Sequence, residues 1–336
     1  MTIQVGVIGL GIGQKHLASL AQIPDVRIVA VADLVESHLL SIASLYNTHH
    51  YMHWQCLLDQ ELALDAVVLA TPSHVRIEPI KAICERKLAL FCEKPPAVCL
   101  DTAHQIAKLL TQAGIINAVG FQYRYSLFAE RLSQLLRERG AHFARILVAT
   151  GWPTFNWMPT PPQHLYKKAA SGGPLIEHGI HFQDVLRYIT NAEPVSVQAM
   201  AELGTLQPVE GRDTEETTLL LARYSSGLLA TQVHCWSHVG DVSQLQVVGY
   251  DFDLTWHFAD IHHLVGMIDQ QTINECDRTN PYLEEMKTFI AAVQQHNQRL
   301  IRSSYIDACQ SMAVCQAATE AIDNSIAHTV VPSFLL

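Results

Sequence analysis

Two short stretches hold residues whose types and spacing could do chemistry. In "LALFCEKPP" (88–96) an apolar run stops at Glu93 and Lys94, and Pro95 and Pro96 follow without a spacer. Prolines end a strand ladder and fix the backbone, so a carboxylate and an ammonium sit in a rigid turn. A lone lysine in such a place is ordinarily a solvated loop residue. Aimed at a reacting oxygen, it would instead stabilise developing negative charge. In "SGGPLIEHGIHFQDVLRYI" (171–189) Glu177, His181 and Asp184 fall at i, i+4 and i+7 of a helical period, which puts all three on one face. An acid one turn before a histidine orients the imidazole and tunes it as a general base. The same helix also admits a structural histidine bonded to a neighbouring acid. A metal held by Glu177, His178 and His181 is a further alternative, although only the first and last share a face.

A third stretch, "VGVIGLGIGQKH", places Gly9, Gly11, Ile12 and Gly13 between an apolar run and a helical one. Glycines let the chain turn sharply and approach a pyrophosphate, whose charge then faces the free N–H groups of the helix. The spacing is GxGxG, one residue tighter than the usual GxGxxG, and strand–helix corners need glycine in any case. Asp33 adds weight. It ends the second apolar run, about 24 residues after Gly9, where an acid accepts the hydroxyls of an adenosine ribose. No Arg or Lys lies between Asp33 and Leu40 to balance a 2′-phosphate, so NAD is expected and NADP disfavoured. Two more runs end in "ATPSH", with Thr71, Pro72 and His74, and in Glu93–Lys94 itself.

These residues need a scaffold. Apolar runs at 3–9, 26–33, 64–71, 88–93 and 115–121 alternate with helical stretches beginning near Gln14, Glu36, Val75 and Thr102. Near-continuous apolar strands are buried on both faces, which predicts a parallel sheet with right-handed crossovers, a doubly wound α/β domain. Ligands of such sheets bind at the carboxyl ends of the strands, which puts Lys94 on the cofactor side. Beyond Phe121 the rhythm changes. A helix over about 126–138 and the strand "FARILVATGW" lead to a Pro- and Trp-rich loop (152–170) and a helix over about 174–190. Successive strands with tight turns follow, then helices over about 281–295 and 304–325. Strands in succession predict a mostly antiparallel sheet, hence an α+β second domain. The expected division is residues 1–122 for the nucleotide-binding domain and 123–336 for the second domain.

Composition narrows the partners. The 336-residue chain is 49% apolar and 16% charged, with net charge −10 and no cluster of Lys and Arg. That excludes a nucleic-acid surface or an anionic-lipid surface as the expected partner. No apolar stretch approaches the roughly 20 residues that span a bilayer. The eight cysteines form no CxxC pair, and the start shows no export signal, so reduced thiols in the cytoplasm are the simplest expectation.

Taken together, "GLGIGQKH", "ADL", "ATPSH", "FCEKPP", "GFQYRY" and "GGPLIEHGIH" resemble the Gfo/Idh/MocA family, named for glucose–fructose oxidoreductase and inositol dehydrogenase. The resemblance runs nearly the full length. It implies a Rossmann domain and a second domain whose open sheet forms homodimers or homotetramers. It also implies hydride transfer between NAD(P) and a sugar, cyclitol or related polyol. Position by position, it makes Lys94 the active-site lysine and His181 the catalytic histidine, with Glu177 where better-known members have aspartate. It places Gln122 beside the nicotinamide, and puts Arg124, Trp152, Trp157 and Tyr282 in regions that line the substrate pocket. Arg76 stands where many members have histidine. Two other readings of the same fold are transient oxidation with retained NAD, as in elimination or glycoside cleavage, and a non-catalytic NAD-sensing regulator. The last predicts loss of the lysine or the histidine, and both are present.

Overall fold

A computed structural model describes residues 2–151, 162–203, 210–236, 240–324 and 329–332. It divides into two compact units, Met1–Gln122 with Pro281–Cys309, and Tyr123–Asn280 with the segment from Gln310 onward.

In the first unit the strands are β1 (Ile3–Ile8), β2 (Val26–Ala32), β3 (His49–Tyr51), β4 (Ala66–Leu69), β5 (Ala89–Cys92) and β6 (Asn117–Val119). Between them lie α1 (Gly13–Leu20), α2 (Glu36–Tyr46), α3 (Trp54–Gln60), α4 (Ile77–Glu85) and α5 (Leu100–Ala113). The sheet order is β3-β2-β1-β4-β5-β6 and every pairing is parallel. This is the doubly wound arrangement, with the switch point between β1 and β4. All four residues of β4 and of β5 are buried, as strands covered on both faces must be. The sequence reading missed β3 and α3. His49-His50-Tyr51 is a short polar edge strand with no apolar run to announce it.

The second unit begins with α6 (Leu127–Arg139), whose Ser126 side chain caps it by accepting from the Phe128 N–H at 3.2 Å. Next come β7 (Phe143–Ala149), a short α7 (Lys168–Ser171), and α8 (Ile180–Thr190), which a π-helical turn over Leu175–Gly179 precedes. The remaining strands are β8 (Pro194–Glu202), β9 (Thr217–Tyr224), β10 (Leu229–Cys235), β11 (Val242–Val248), β12 (Phe252–His257), β13 (His262–Ile268) and β14 (Gln271–Asp277). After α9 (Pro281–Gln294) and α10 (Tyr305–Asp323), β15 (Thr329–Val330) completes a nine-stranded sheet ordered β14-β13-β12-β11-β7-β10-β9-β8-β15. Among the described residues of this sheet only β7 and β10 pair in parallel. Along β9 burial alternates strictly, with Leu220, Ala222 and Tyr224 inward and Leu219 and Leu221 outward. One face therefore packs and one does not.

Helix α8 lies on the inward face, and polar groups as well as apolar ones dock it. Gln183 donates to Gln232 Oε1 at 2.6 Å and accepts from the Tyr224 hydroxyl at 2.9 Å. Gln232 in turn donates to the Gly179 carbonyl at 3.3 Å. A Cβ at Gly179 would lie 2.6 Å from Gln232 Nε2, so glycine is what lets the turn approach the sheet.

One boundary needs correction. Residues 281–309 were expected in the C-terminal domain, but they belong to the first unit. Met286, Phe289, Ile290 and Val293 of α9 bury in one core with Ile3, Val5, Leu17 and Phe91. Among the described residues no helix is long and apolar enough to cross a membrane.

Candidate functional site

The glycine turn is shaped by the strand beside it. Gly9 has φ +90°, and a Cβ there would come within 2.8 Å of the Ala70 carbonyl and the Thr71 nitrogen. No other residue fits. The Leu10 N–H donates to Asp33 Oδ2 at 2.7 Å, and Asp33 Oδ1 accepts from the Val35 N–H at 2.8 Å. Asp33 thus holds the turn against the end of β2, and each oxygen keeps a lone pair for a ribose hydroxyl. Ile12 is the N-cap of α1 without a side-chain cap, and the first turn of that helix carries no acidic residue. Those features suit a pyrophosphate. The hydroxyls of Thr71 and Ser73 are buried without a protein partner at the end of β4. Pro72 and His74 beside them are exposed. Gln122 is buried at the start of a 3₁₀ turn, Gln122–Tyr125. An uncapped helix start, a cradle that a Cβ would fill and two orphaned hydroxyls fit a dinucleotide.

Lys94 is half-buried at the end of β5, before the only cis peptide bond among the described residues, Lys94–Pro95. Glu93, next to it, is engaged on both oxygens. Oε1 accepts from His16 Nε2 at 2.6 Å and Oε2 from the Lys94 N–H at 2.9 Å. Burial works against the Glu93 carboxylate. The hydrogen bond and charge of His16, followed by the charges of Lys94 and Arg76, outweigh it and hold the group below its usual range. His16 escaped the sequence reading. Its signal was a polar residue among the buried positions of α1, with Gly13, Leu17 and Leu20. The ring of Tyr282, a residue expected at the substrate, meets the His16 ring edge-on at 5.7 Å.

In the second unit Gly172 (φ +78°) and Gly173 (φ +85°) turn the chain from α7 into the π turn. A π turn holds more residues than an α turn, so the simple i, i+4, i+7 phase does not carry through it. His181 is 7% exposed and lies 5.4 Å from the Tyr123 ring and 6.1 Å from the His178 ring. Glu177 and His178 are half-buried. Asp184 has a different task. It is fully buried and takes a two-pronged grip from Arg124, Nε at 2.7 Å and Nη2 at 2.5 Å, plus the Ser311 hydroxyl at 2.6 Å. Arg124 was expected to line the substrate pocket. The structure commits its guanidinium to Asp184, because a buried cation needs a fully bonded anion. Trp152 and Trp157 lie outside the described residues.

A histidine cluster fixes a tautomer. Trp236 Nε1–H donates to His178 Nδ1 at 3.3 Å, and His234 Nε2 lies 3.0 Å from the same nitrogen. An indole can only donate, so His178 Nδ1 accepts and its proton sits on Nε2. His234 then donates from its own Nε2. Complete burial pushes the pKa of His234 down to about 3, which keeps it neutral in that role. Among the described residues no group of three or more His, Cys, Asp or Glu is placed to hold a metal.

Comparison with known proteins agrees with this anatomy. Residues 3–121 match the family model described as GFO_IDH_MocA, an oxidoreductase family with an NAD-binding Rossmann fold. Residues 141–254 match the model of the GFO/IDH/MocA C-terminal domain. The chain is 28% identical over 249 residues to the rhizopine catabolism protein MocA of Rhizobium meliloti, covering 70% of this chain and 75% of that protein. It is 25% identical over 314 residues to myo-inositol 2-dehydrogenase of Thermotoga maritima, covering 87% of this chain and 88% of that protein. A levoglucosan dehydrogenase solved in complex with NADH shares the fold, with TM-score 0.82, 20% identity and coverage of 99% of this chain and 100% of that one.

Proposed function

The chain belongs to the Gfo/Idh/MocA oxidoreductases, and on that premise we propose that it moves a hydride between NAD(H) and the alcohol carbon of a sugar, cyclitol or related polyol. The observation that carries the reading is Lys94, held by Glu93 at the carboxyl end of β5, in the same unit as the glycine turn and Asp33. Bound NAD⁺ supplies the hydride acceptor. The rest is done by side chains. The turn through Gly9, Gly11, Ile12 and Gly13 receives the pyrophosphate on its N–H groups, and Asp33 takes the ribose hydroxyls. The Thr71 hydroxyl and the Gln122 amide donate to the cofactor. Lys94 donates to the reacting oxygen and stabilises its developing charge. His181 takes the hydroxyl proton, and Glu177 holds the imidazole in the orientation for doing so. Both relatives named for their substrates, an inositol and levoglucosan, are polyhydroxylated rings, which supports that class of substrate.

The test is a panel of cyclitols, aldoses and glycosides, each incubated with NAD⁺ or NADP⁺ while reduced cofactor is followed by absorbance. At least one is expected to give steady turnover with NAD⁺ and a much weaker rate with NADP⁺. The reason is that Asp33, already fixed by two backbone amides, repels a 2′-phosphate with no cation beside it in sequence. Equal rates with both cofactors would overturn the preference, and no reduction with any polyol would overturn the dehydrogenase reading.

The outward face of the nine-stranded sheet supports a homodimer or homotetramer. Met200 and Leu219 stand directly opposite each other on β8 and β9, at 72% and 47% exposure, with Leu221 and Leu229 nearby. An apolar patch of that kind favours a self-complementary contact. Light scattering should give a mass of two or four chains for the wild type and a smaller species for Leu219→Asp/Leu221→Asp. A monomeric wild type at micromolar concentration would refute the assembly. The cytoplasm is the compartment in keeping with eight free cysteines.

A further inference from the structure

Beyond its charge beside Glu93, Arg76 has no task in the roles given above, yet it is 3% exposed. It follows the Thr71–Pro72 turn, between the 3₁₀ segment Ser73–Val75 and α4, whose N-cap it is. Its guanidinium bonds backbone carbonyls, and those carbonyls come from two strand ends. From the end of β4, the Thr71 carbonyl accepts from Nε at 2.9 Å and from Nη2 at 2.6 Å. From the end of β5, the carbonyls of Glu93 and Pro95 accept from Nη1, and that of Lys94 from Nη2 at 3.3 Å. The next carbonyl, of Pro96, accepts from the buried Tyr305 hydroxyl at 2.8 Å. Four successive carbonyls of the Glu-Lys-Pro-Pro turn are therefore held by two side chains.

The need for such an arrangement follows from the prolines. Pro95 and Pro96 have no N–H, so the turn cannot brace itself with its own donors. Its buried carbonyls must find donors elsewhere. Guanidinium carries five N–H groups in one rigid plane, enough to bridge two strand ends at once. An ammonium on a flexible stem, or an imidazole with two nitrogens, cannot cover the same acceptors.

We propose that Arg76 is the positioning residue for Lys94, a bracket that sets the backbone of the lysine relative to the Thr71 turn. Its hydrogen bonds go to the two strand ends, and it has no part in the proposed proton path. This inference rests on the proposed role of Lys94, and it is specific in one respect. Arg76 makes no hydrogen bond to the glycine turn or to Asp33 and reaches the Thr71 turn only through its carbonyl, so its loss should displace the lysine while costing the dinucleotide grip far less.

The experiment compares Arg76→Lys, Arg76→Gln and Arg76→Ala with wild type, using the polyol that gives the fastest NADH formation. A misplacement of about 1 Å costs on the order of a hundredfold in rate. Each variant is therefore expected to lose about that much in kcat, while NAD⁺ affinity measured by calorimetry stays close to wild type. Free guanidinium or ethylguanidinium at millimolar concentration should restore part of the kcat of Arg76→Ala and none of Lys94→Ala. A near-normal kcat in Arg76→Lys would overturn the proposal. So would kcat and NAD⁺ affinity falling together without rescue, since that is what general structural support predicts. Should Arg76→Ala not fold, the split between kcat and affinity in Arg76→Lys decides. Should no polyol be oxidised by wild type, the dehydrogenase reading fails on its own. Hydrogen exchange then tests the bracket. Faster exchange in Arg76→Lys confined to the amides of 71–75 and 92–97 supports it, and unchanged exchange there refutes it.

Discussion

Replacing Lys94 by alanine is expected to lower turnover at least about a hundredfold with little change in NAD⁺ affinity, and His181→Ala should do the same. The reason is differential. A substrate hydroxyl carries almost no charge in the ground state, and it becomes alkoxide-like only as the hydride leaves. The ammonium of Lys94 therefore acts mainly in the transition state, where loss of one preorganised electrostatic contact costs about 10²–10³-fold. Proton removal by a positioned base is worth about 10²–10⁴-fold. Neither side chain belongs to the glycine turn or the ribose acid, so cofactor binding has little reason to fall. If both act in one transition state, the double variant will be far less than multiplicatively worse. Glu177→Gln should be milder, because it keeps shape and hydrogen bonding while losing charge. Steady-state rates of the four variants with an active polyol, alongside calorimetry with NAD⁺, give the comparison. Near-normal turnover in Lys94→Ala would return that lysine to the role of an ordinary loop residue.

Stability should respond most sharply at a pair that does no chemistry. Arg124 and Asp184 are 3% and 1% exposed at their side chains, and the guanidinium also lies 5.2 Å over the Tyr188 ring. Arg124→Met strips both guanidinium bonds from the buried Asp184 carboxylate and leaves the Ser311 hydroxyl in place. Breaking one side of a buried pair typically costs about 3–5 kcal/mol, whereas replacing both partners by apolar residues of similar volume is often neutral. The expected result is a large fall in the urea midpoint for Arg124→Met and for Asp184→Leu, with most of it recovered in Arg124→Met/Asp184→Leu. A single-variant loss below about 1 kcal/mol, the worth of an exposed pair, would show that the site admits water and that the pair is not sealed.

What the sequence determined by itself is local chemistry joined to local shape. Glycines after β1, an acid at the end of β2, prolines that stop β5 behind Lys94, and a helix carrying Glu177 and His181 were all legible. Each depends on rules that act within a few residues, namely φ freedom, strand burial, proline rigidity and helical period. The parallel order of the first sheet followed from apolar runs spaced by helices. Tertiary structure decided which buried polar group answers which. Glu93 is met by His16, 77 positions away, and Asp184 by Arg124 and Ser311, 60 and 127 positions away. An isolated glutamate or arginine has no local pattern that names its partner. The desolvation cost of burying it is what selects one, and only the packed chain brings the partner near. The same cause explains Arg124, whose guanidinium went to a carboxylate in the core. The π turn at Leu175–Gly179 was hidden because a helical period in sequence is compatible with an added residue in the turn, and its last residue, Gly179, is the one that lies against Gln232. Helix α9 joined the first unit because its apolar stripe fits the core of Leu17 and Phe91, a choice made by shape between faces far apart in the chain.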